Sequence, residues 1–121
     1  MVTALVIDDS AFVLRRHSEL VIEAGLAVLT AKGGEEGVRI FETHLPDIVL
    51  CDIMMPDMDG YEVLQNLRDL AQDVFLYFIS AEMTPEIEKK AMSLGAKGII
   101  TKPISVETIQ KILQQYHSQR C

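Results

Sequence analysis

Five short apolar runs, at residues 4–7, 27–31, 48–51, 74–79 and 98–101, alternate along this chain with five segments of helical periodicity. An apolar run this short, bounded by turn residues, suits a strand buried on both faces. Parallel strands need crossover connections, and a right-handed helical crossover after each strand is the compact solution. The chain is therefore expected to fold as an α/β doubly wound parallel sheet with helices on both faces. The connections are short and no linker or low-complexity stretch interrupts them, so residues 1–121 read as a single domain.

The helical segments carry their own start and stop signals. Residues 10–24 place Val13, His17, Leu20, Val21 and Ala24 on one stripe, with Ser10 as N-cap and Gly25 just past the end. Phe12 and Ile22 fall off that stripe and leave this helix with an exposed apolar face. Residues 35–44 turn Val38 and Phe41 inward before Pro46, and residues 60–70 do the same with Val63, Leu64 and Leu67. Thr84, Pro85 and Glu86 open the next helix with a cap, a proline at the first position and an acid in the first turn. Ile87, Ala91 and Leu94 form its inner face, and Ser105 caps a last helix with Ile109, Ile112, Leu113 and Tyr116 inward.

With 121 residues, 49% hydrophobic, the chain is long enough for a proper core. A net charge of −7 and the lack of a basic stripe exclude direct nucleic-acid binding. Cys51 lies in an apolar run and Cys121 is the last residue, so neither metal nor redox spacing exists. His17, His44 and His117 also lack ligand spacing. No apolar stretch approaches membrane-spanning or signal-peptide character, which points to a soluble, cytoplasmic protein with no membrane partner.

Polar residues close four of the apolar runs: Asp8 and Asp9, Asp52, Ser80, and Lys102 with Pro103. In an open parallel sheet the carboxyl ends of all strands share one edge, so these residues converge. Three carboxylates held together repel unless cations intervene. Lys102 supplies one positive charge, and a hard divalent ion such as Mg2+ suits the remaining oxygen donors. With both present a phosphoryl group becomes welcome, and the Ser80 hydroxyl can bond to one of its oxygens. A calcium loop is a poor alternative. Aligning Gly60 with the glycine of such a loop puts Met55 and Asn66 where carboxylates are required. Asp59 is better read as a helix cap and Asp57 as ordering the loop, while Met54, Met55 and Met58 suit either loop packing or a sticky surface.

The motifs Val6-Ile7-Asp8-Asp9, residues 49–60 from Val49 through Asp52 to Gly60, Ile79-Ser80-Ala81 and Thr101-Lys102-Pro103 together resemble the receiver domain of bacterial two-component response regulators. The resemblance covers the whole chain and implies a flavodoxin-like sheet of order 2-1-3-4-5, the order that the flavodoxin and chemotaxis-receiver folds exemplify. By resemblance, Asp52 is the phosphoacceptor that attacks the phosphohistidine of a sensor histidine kinase or phosphotransfer protein. Asp9 is a direct Mg2+ ligand, Asp8 acts through water, and Asp52 and the main-chain carbonyl of Met54 complete the metal site. Ser80 is the switch hydroxyl, Lys102 is the charge partner of the phosphoryl group, and the Lys102–Pro103 bond is cis. Phe12 and Ile22 become contacts for the helical bundle of the kinase. A stand-alone receiver of this kind signals by binding a downstream target protein or by phosphorelay.

The chain departs from the family pattern at Ile99, where many receivers carry a Tyr or Phe that swings inward as the hydroxyl moves. Met54 and Glu82 hold the positions two residues past Asp52 and Ser80 that tune dephosphorylation in the family. Three other readings compete. A haloacid-dehalogenase-like phosphatase has a similar inventory, yet it places its Asp-x-Asp nucleophile motif first and its acid pair last, and needs a cap this chain lacks. A constitutive receiver-fold scaffold conflicts with the complete set of site residues, and Ile99 alone speaks for it. A flavin-binding protein needs a phosphate-cradling loop where Asp9, Ser10 and Ala11 stand.

Overall fold

The structure is a computed structural model that describes residues 1–120; Cys121 and its expected loose thiol lie outside the described residues. Its elements follow in the order β1 (Thr3–Ile7), α1 (Ala11–Glu23), β2 (Ala27–Ala31), α2 (Gly34–His44), β3 (Ile48–Asp52), α3 (Gly60–Leu70), β4 (Leu76–Ser80), α4 (Pro85–Ser93), β5 (Gly98–Thr101) and α5 (Val106–Arg120). The strands form one parallel sheet in the order β2-β1-β3-β4-β5. This is the flavodoxin-like order implied above. No described helix is long and apolar enough to cross a membrane.

Side-chain alternation splits each central strand between two cores. Leu5, Ile7, Val49, Cys51, Leu76 and Phe78 face one layer with Phe41, Leu64 and Leu67 of α2 and α3. Ala4, Val6, Ile48, Leu50, Phe75 and Ile79 face the other with Leu20, Val21, Ile109 and Ile112 of α1 and α5. Every residue of β3 is buried, as a strand covered on both faces must be. The caps lie where the sequence puts them. Ser10 Oγ accepts the Val13 amide at 3.2 Å, Asp59 Oδ1 that of Glu62 at 2.9 Å, Thr84 Oγ1 that of Ile87 at 3.1 Å and Ser105 Oγ that of Thr108 at 3.2 Å. Each such cap contributes about 1 kcal/mol.

Two details differ from the sequence reading. The buried stripe of α1 is Leu14, His17, Leu20 and Val21, and Val13 is only half-buried. Three consecutive apolar residues, Phe12 to Leu14, leave the helical phase open to a shift of one residue, and packing on the sheet selects Leu14. The hydrogen-bonded part of β4 begins at Leu76, after buried Val74 and Phe75. The Val74 amide is spent on a turn back to the Ala71 carbonyl at 3.1 Å, which delays the ladder.

His17 is buried on α1, and its Nδ1 has no hydrogen-bond partner. Burial, and after it the Lys102 ammonium, pushes its pKa below the usual 6.5. An unsatisfied buried polar atom costs about 1–3 kcal/mol, so His17→Leu is expected to raise the urea midpoint. The unfolded chain takes up a proton at this residue near pH 6.5 while the folded chain resists it. The wild-type protein should therefore lose stability relative to His17→Leu as pH falls below about 6.5. Urea denaturation between pH 5 and 8 checks both expectations.

Candidate functional site

The site is assembled from strand ends. Asp8 directly follows β1, and its Oδ1 accepts the Ser10 amide at 2.9 Å, which fixes the carboxylate beside the start of α1. Asp9 is the exposed member of the pair. Asp52 ends β3 and is 7% exposed. After it the chain forms a loop anchored by buried Ile53 and Met55, with the Met54 side chain turned out and 79% exposed. The Gly60 amide closes that loop onto the Ile53 carbonyl at 2.8 Å. A Cβ at Gly60 would stand 2.5 Å from the Asp52 carbonyl oxygen, so only glycine lets α3 start this close to the acid.

Lys102 follows β5 and reaches back across the sheet edge. Its Nζ stands 3.3 Å from Asp8 Oδ2 and 3.6 Å from Asp52 Oδ1. One oxygen from each of Asp8, Asp9 and Asp52 lies within 4.8 Å of the others, a spacing that fits one small cation. At 4.8 Å, two like charges such as those of buried Asp8 and Asp52 repel by about 3.5 kcal/mol in an effective dielectric near 20. One ammonium against three carboxylates leaves the cluster short of positive charge. The imbalance appears in Asp52, whose pKa is raised by burial and then by Asp8, against the lowering pull of Lys102 and the Ile53 amide. Hard oxygen donors with spare negative charge fit a divalent ion such as Mg2+.

Of the remaining expected residues, Ser80 and Pro103 stand at the same sheet edge, while Ile99 lies inside β5 and Ile22 in the last turn of α1. Ser80 ends β4 and is buried; its Oγ accepts the Glu82 amide at 3.3 Å, and its carbonyl accepts the Lys102 amide at 2.8 Å. The Lys102–Pro103 bond is cis. Ile99 is half-buried, paired with Phe78 and packed against the core under α2, α3 and α4. Phe12 and Ile22 are 81% and 59% exposed on α1. Cys51 donates its thiol to the Asp52 carbonyl at 3.2 Å, and burial pushes its pKa well up, so it is inert packing.

Some links escaped the sequence. Asp57 hydrogen-bonds the amides of Gly34 and Glu35 at the start of α2. Arg68 of α3 donates to the Leu94 carbonyl at the end of α4 at 2.8 Å. Asp47 accepts the Thr3 amide at 2.9 Å and the Tyr116 hydroxyl at 3.2 Å, joining the far edge of the sheet to α5. The paired glycines Gly33 and Gly34, a helix start with no capping side chain, were the one visible trace of the first link.

Residues 4–114 match the family model of the response regulator receiver domain. The chain belongs to this family. Among relatives of the receiver, the chemotaxis protein CheY of Treponema pallidum is 36% identical over 117 residues, covering 91% of this chain and 81% of that protein. The probable C4-dicarboxylate response regulator DctR of Priestia megaterium is 30% identical over 118 residues, covering 96% of this chain; the receiver spans about half, 52%, of that regulator. A solved CheX–CheY–BeF3–Mg2+ complex from Borrelia burgdorferi contains a chain that superposes with a TM-score of 0.89 at 29% identity, covering 96% of this chain and 89% of that one.

Because Asp52 is held ionised at a cost, a neutral isostere relieves the site. In EDTA at pH 7, Asp52→Asn is expected to be more stable than wild type by about 1 kcal/mol. The folded Asp52 carboxyl binds its proton more tightly than the unfolded one. Wild-type stability relative to the variant should therefore fall as pH rises from about 3.8 through the raised folded value. Urea melts across that range measure it.

Proposed function

We propose that this receiver accepts a phosphoryl group on Asp52 from the phosphohistidine of a sensor histidine kinase or phosphotransfer protein, in a Mg2+-dependent reaction. The phosphorylated form then signals in the cytoplasm by binding a downstream protein or passing the group along a phosphorelay. The observation that carries this reading is the buried Asp52 carboxylate set between the Lys102 ammonium at 3.6 Å and the acid pair Asp8–Asp9.

An Asp52 oxygen forms its bond to phosphorus as the P–N bond of the donor breaks, and the departing imidazole takes a proton from solvent. Lys102 pairs with the phosphoryl oxygens, and the Ser80 hydroxyl turns from its local partner to donate to one of them. Asp9, Asp52 and the Met54 main-chain carbonyl would hold Mg2+, with Asp8 acting through water. When bound, the ion neutralises charge on the phosphoryl oxygens. Hydrolysis of the acyl phosphate by an in-line water returns the free carboxylate. The chain thus turns over only its own phosphoryl group and is a signalling module rather than an enzyme with a separate substrate.

The Borrelia relative, solved together with Mg2+, BeF3 and CheX, supports a metal at this edge and a protein as the partner. Exposed Phe12 in the first turn of α1, next to the acid pair, and Ile22 in its last turn offer apolar contacts for the kinase or phosphotransfer helices. With Ile99 in place of an aromatic switch, the readout from Ser80 runs through the backbone that joins it to Lys102 at the β4–β5 end.

Intact mass after incubation with a small phosphodonor tests the reading. One added phosphate in wild type, dependent on Mg2+ and missing in Asp52→Asn, is expected. Equal uptake by the variant, or none by folded wild type, would overturn it.

A further inference from the structure

The loop from Ile53 to Asp59 is fastened at its ends by buried Ile53, the closing Gly60 amide and the Asp59 cap on α3. Its middle is fastened to a different helix. Asp57 Oδ1 accepts the Gly34 amide at 3.3 Å and Oδ2 the Glu35 amide at 3.1 Å. These are the first amides of α2, and Gly33, the N-cap residue of that helix, supplies no side chain to them. Gly33 has φ +107°, and a Cβ there would lie 3.2 Å from both Asp57 oxygens. A side chain at residue 33 would crowd the carboxylate and push it back by a few tenths of an ångström. The Glu35 amide, first among the causes, holds the Asp57 pKa below its usual value, which keeps an anion on the positive end of the α2 dipole.

The geometry points to Asp57 as a positioning residue for the metal centre: by fastening the β3–α3 loop to α2, it helps fix the Met54 peptide, whose carbonyl is the main-chain Mg2+ ligand proposed above. This inference rests on the Mg2+ role proposed above. Asp57 stands three residues beyond Met54, on the far side of the buried Met55 anchor. The burial of Met55, the Gly60 closure and the Asp59 cap also hold the side beyond Met54. Asp57 adds the one hydrogen-bonded tie from the middle of the loop to a different helix, α2. Linkage makes the coupling reciprocal, so Mg2+ binding should tighten the Gly34 and Glu35 amides in return.

The test uses the full chain as wild type, Asp57→Ala and Asp57→Asn, with Mg2+ titrated by calorimetry and amide exchange followed by NMR. Asp57→Ala is expected to weaken Mg2+ about tenfold and Asp57→Asn, which keeps one acceptor oxygen but no charge, about threefold. In wild type Mg2+ slows exchange at Gly34 and Glu35; in Asp57→Ala those amides exchange fast whether or not Mg2+ is present. Unchanged Mg2+ affinity in Asp57→Ala, with the two amides deprotected, would reduce Asp57 to a helix cap and overturn the inference. Equal weakening in both variants would assign the effect to charge alone and also overturn it. Wild type that fails to bind Mg2+ would remove the functional reading and this inference together, an outcome distinct from the other two.

Discussion

A single ammonium group holds two buried carboxylates at the edge of this sheet. Lys102 Nζ stands 3.3 Å from Asp8 and 3.6 Å from Asp52, which come from strands that are neighbours in space and forty-four residues apart in sequence. Without that ammonium the two buried carboxylates would face one another unscreened, and like charges at this spacing cost several kcal/mol. With it, the site is strained but tolerable, and its residual negative charge is what makes a divalent cation welcome. The parallel order β2-β1-β3-β4-β5 serves this contact directly, because it sets the carboxyl ends of β1, β3, β4 and β5 side by side.

The cost of the site is borne by the layers beneath it. β3 is buried along its whole length and ends in Asp52, so the central carboxylate of the cluster sits on a strand covered on both faces. Fully buried Leu5, Ile7, Leu64, Leu67, Leu76 and Phe78 pack one face, while Val6, Val21, Ile48, Leu50 and Ile109 pack the other. Burying side chains of this size contributes about 1.5–3 kcal/mol each before chain entropy is opposed. α4 is held more lightly. Ala91 is its one buried residue, and it leans on α3 through Lys90 over the Tyr61 ring at 4.3 Å and the Arg68–Leu94 hydrogen bond. Well-buried strands thus carry the acid cluster, and a lightly attached helix flanks it.

Much of this was legible in the residues because the signals are local. A buried strand that ends in a carboxylate, hydroxyl or ammonium is uneconomical unless those groups meet, and four such endings on parallel strands have one edge on which to meet. Ser10, Asp59, Thr84 and Ser105 announced their helices for the same reason: a capping oxygen satisfies an amide three residues on. What was not legible depends on distance in sequence or on a small angle. Leu14 displaced Val13 from the α1 stripe because one residue is 100° of helix, and apolar neighbours on both sides mask the phase. Asp57 was recognised as ordering its loop, but its partners Gly34 and Glu35 lie more than twenty positions away and only the fold brings them within reach. The orphaned Nδ1 of His17 was equally hidden, since a histidine on a helix's inner stripe differs from a leucine only once its neighbours are fixed.

Chemical location of the phosphoryl group tests the central claim most directly. Protein phosphorylated by a small donor with Mg2+ would be reduced with borohydride, which converts an aspartyl phosphate to homoserine, and then mapped by peptide mass spectrometry. Homoserine at residue 52 alone is the expected result. Homoserine at Asp8 or Asp9, or phosphate retained as an ester on Ser80, would contradict it.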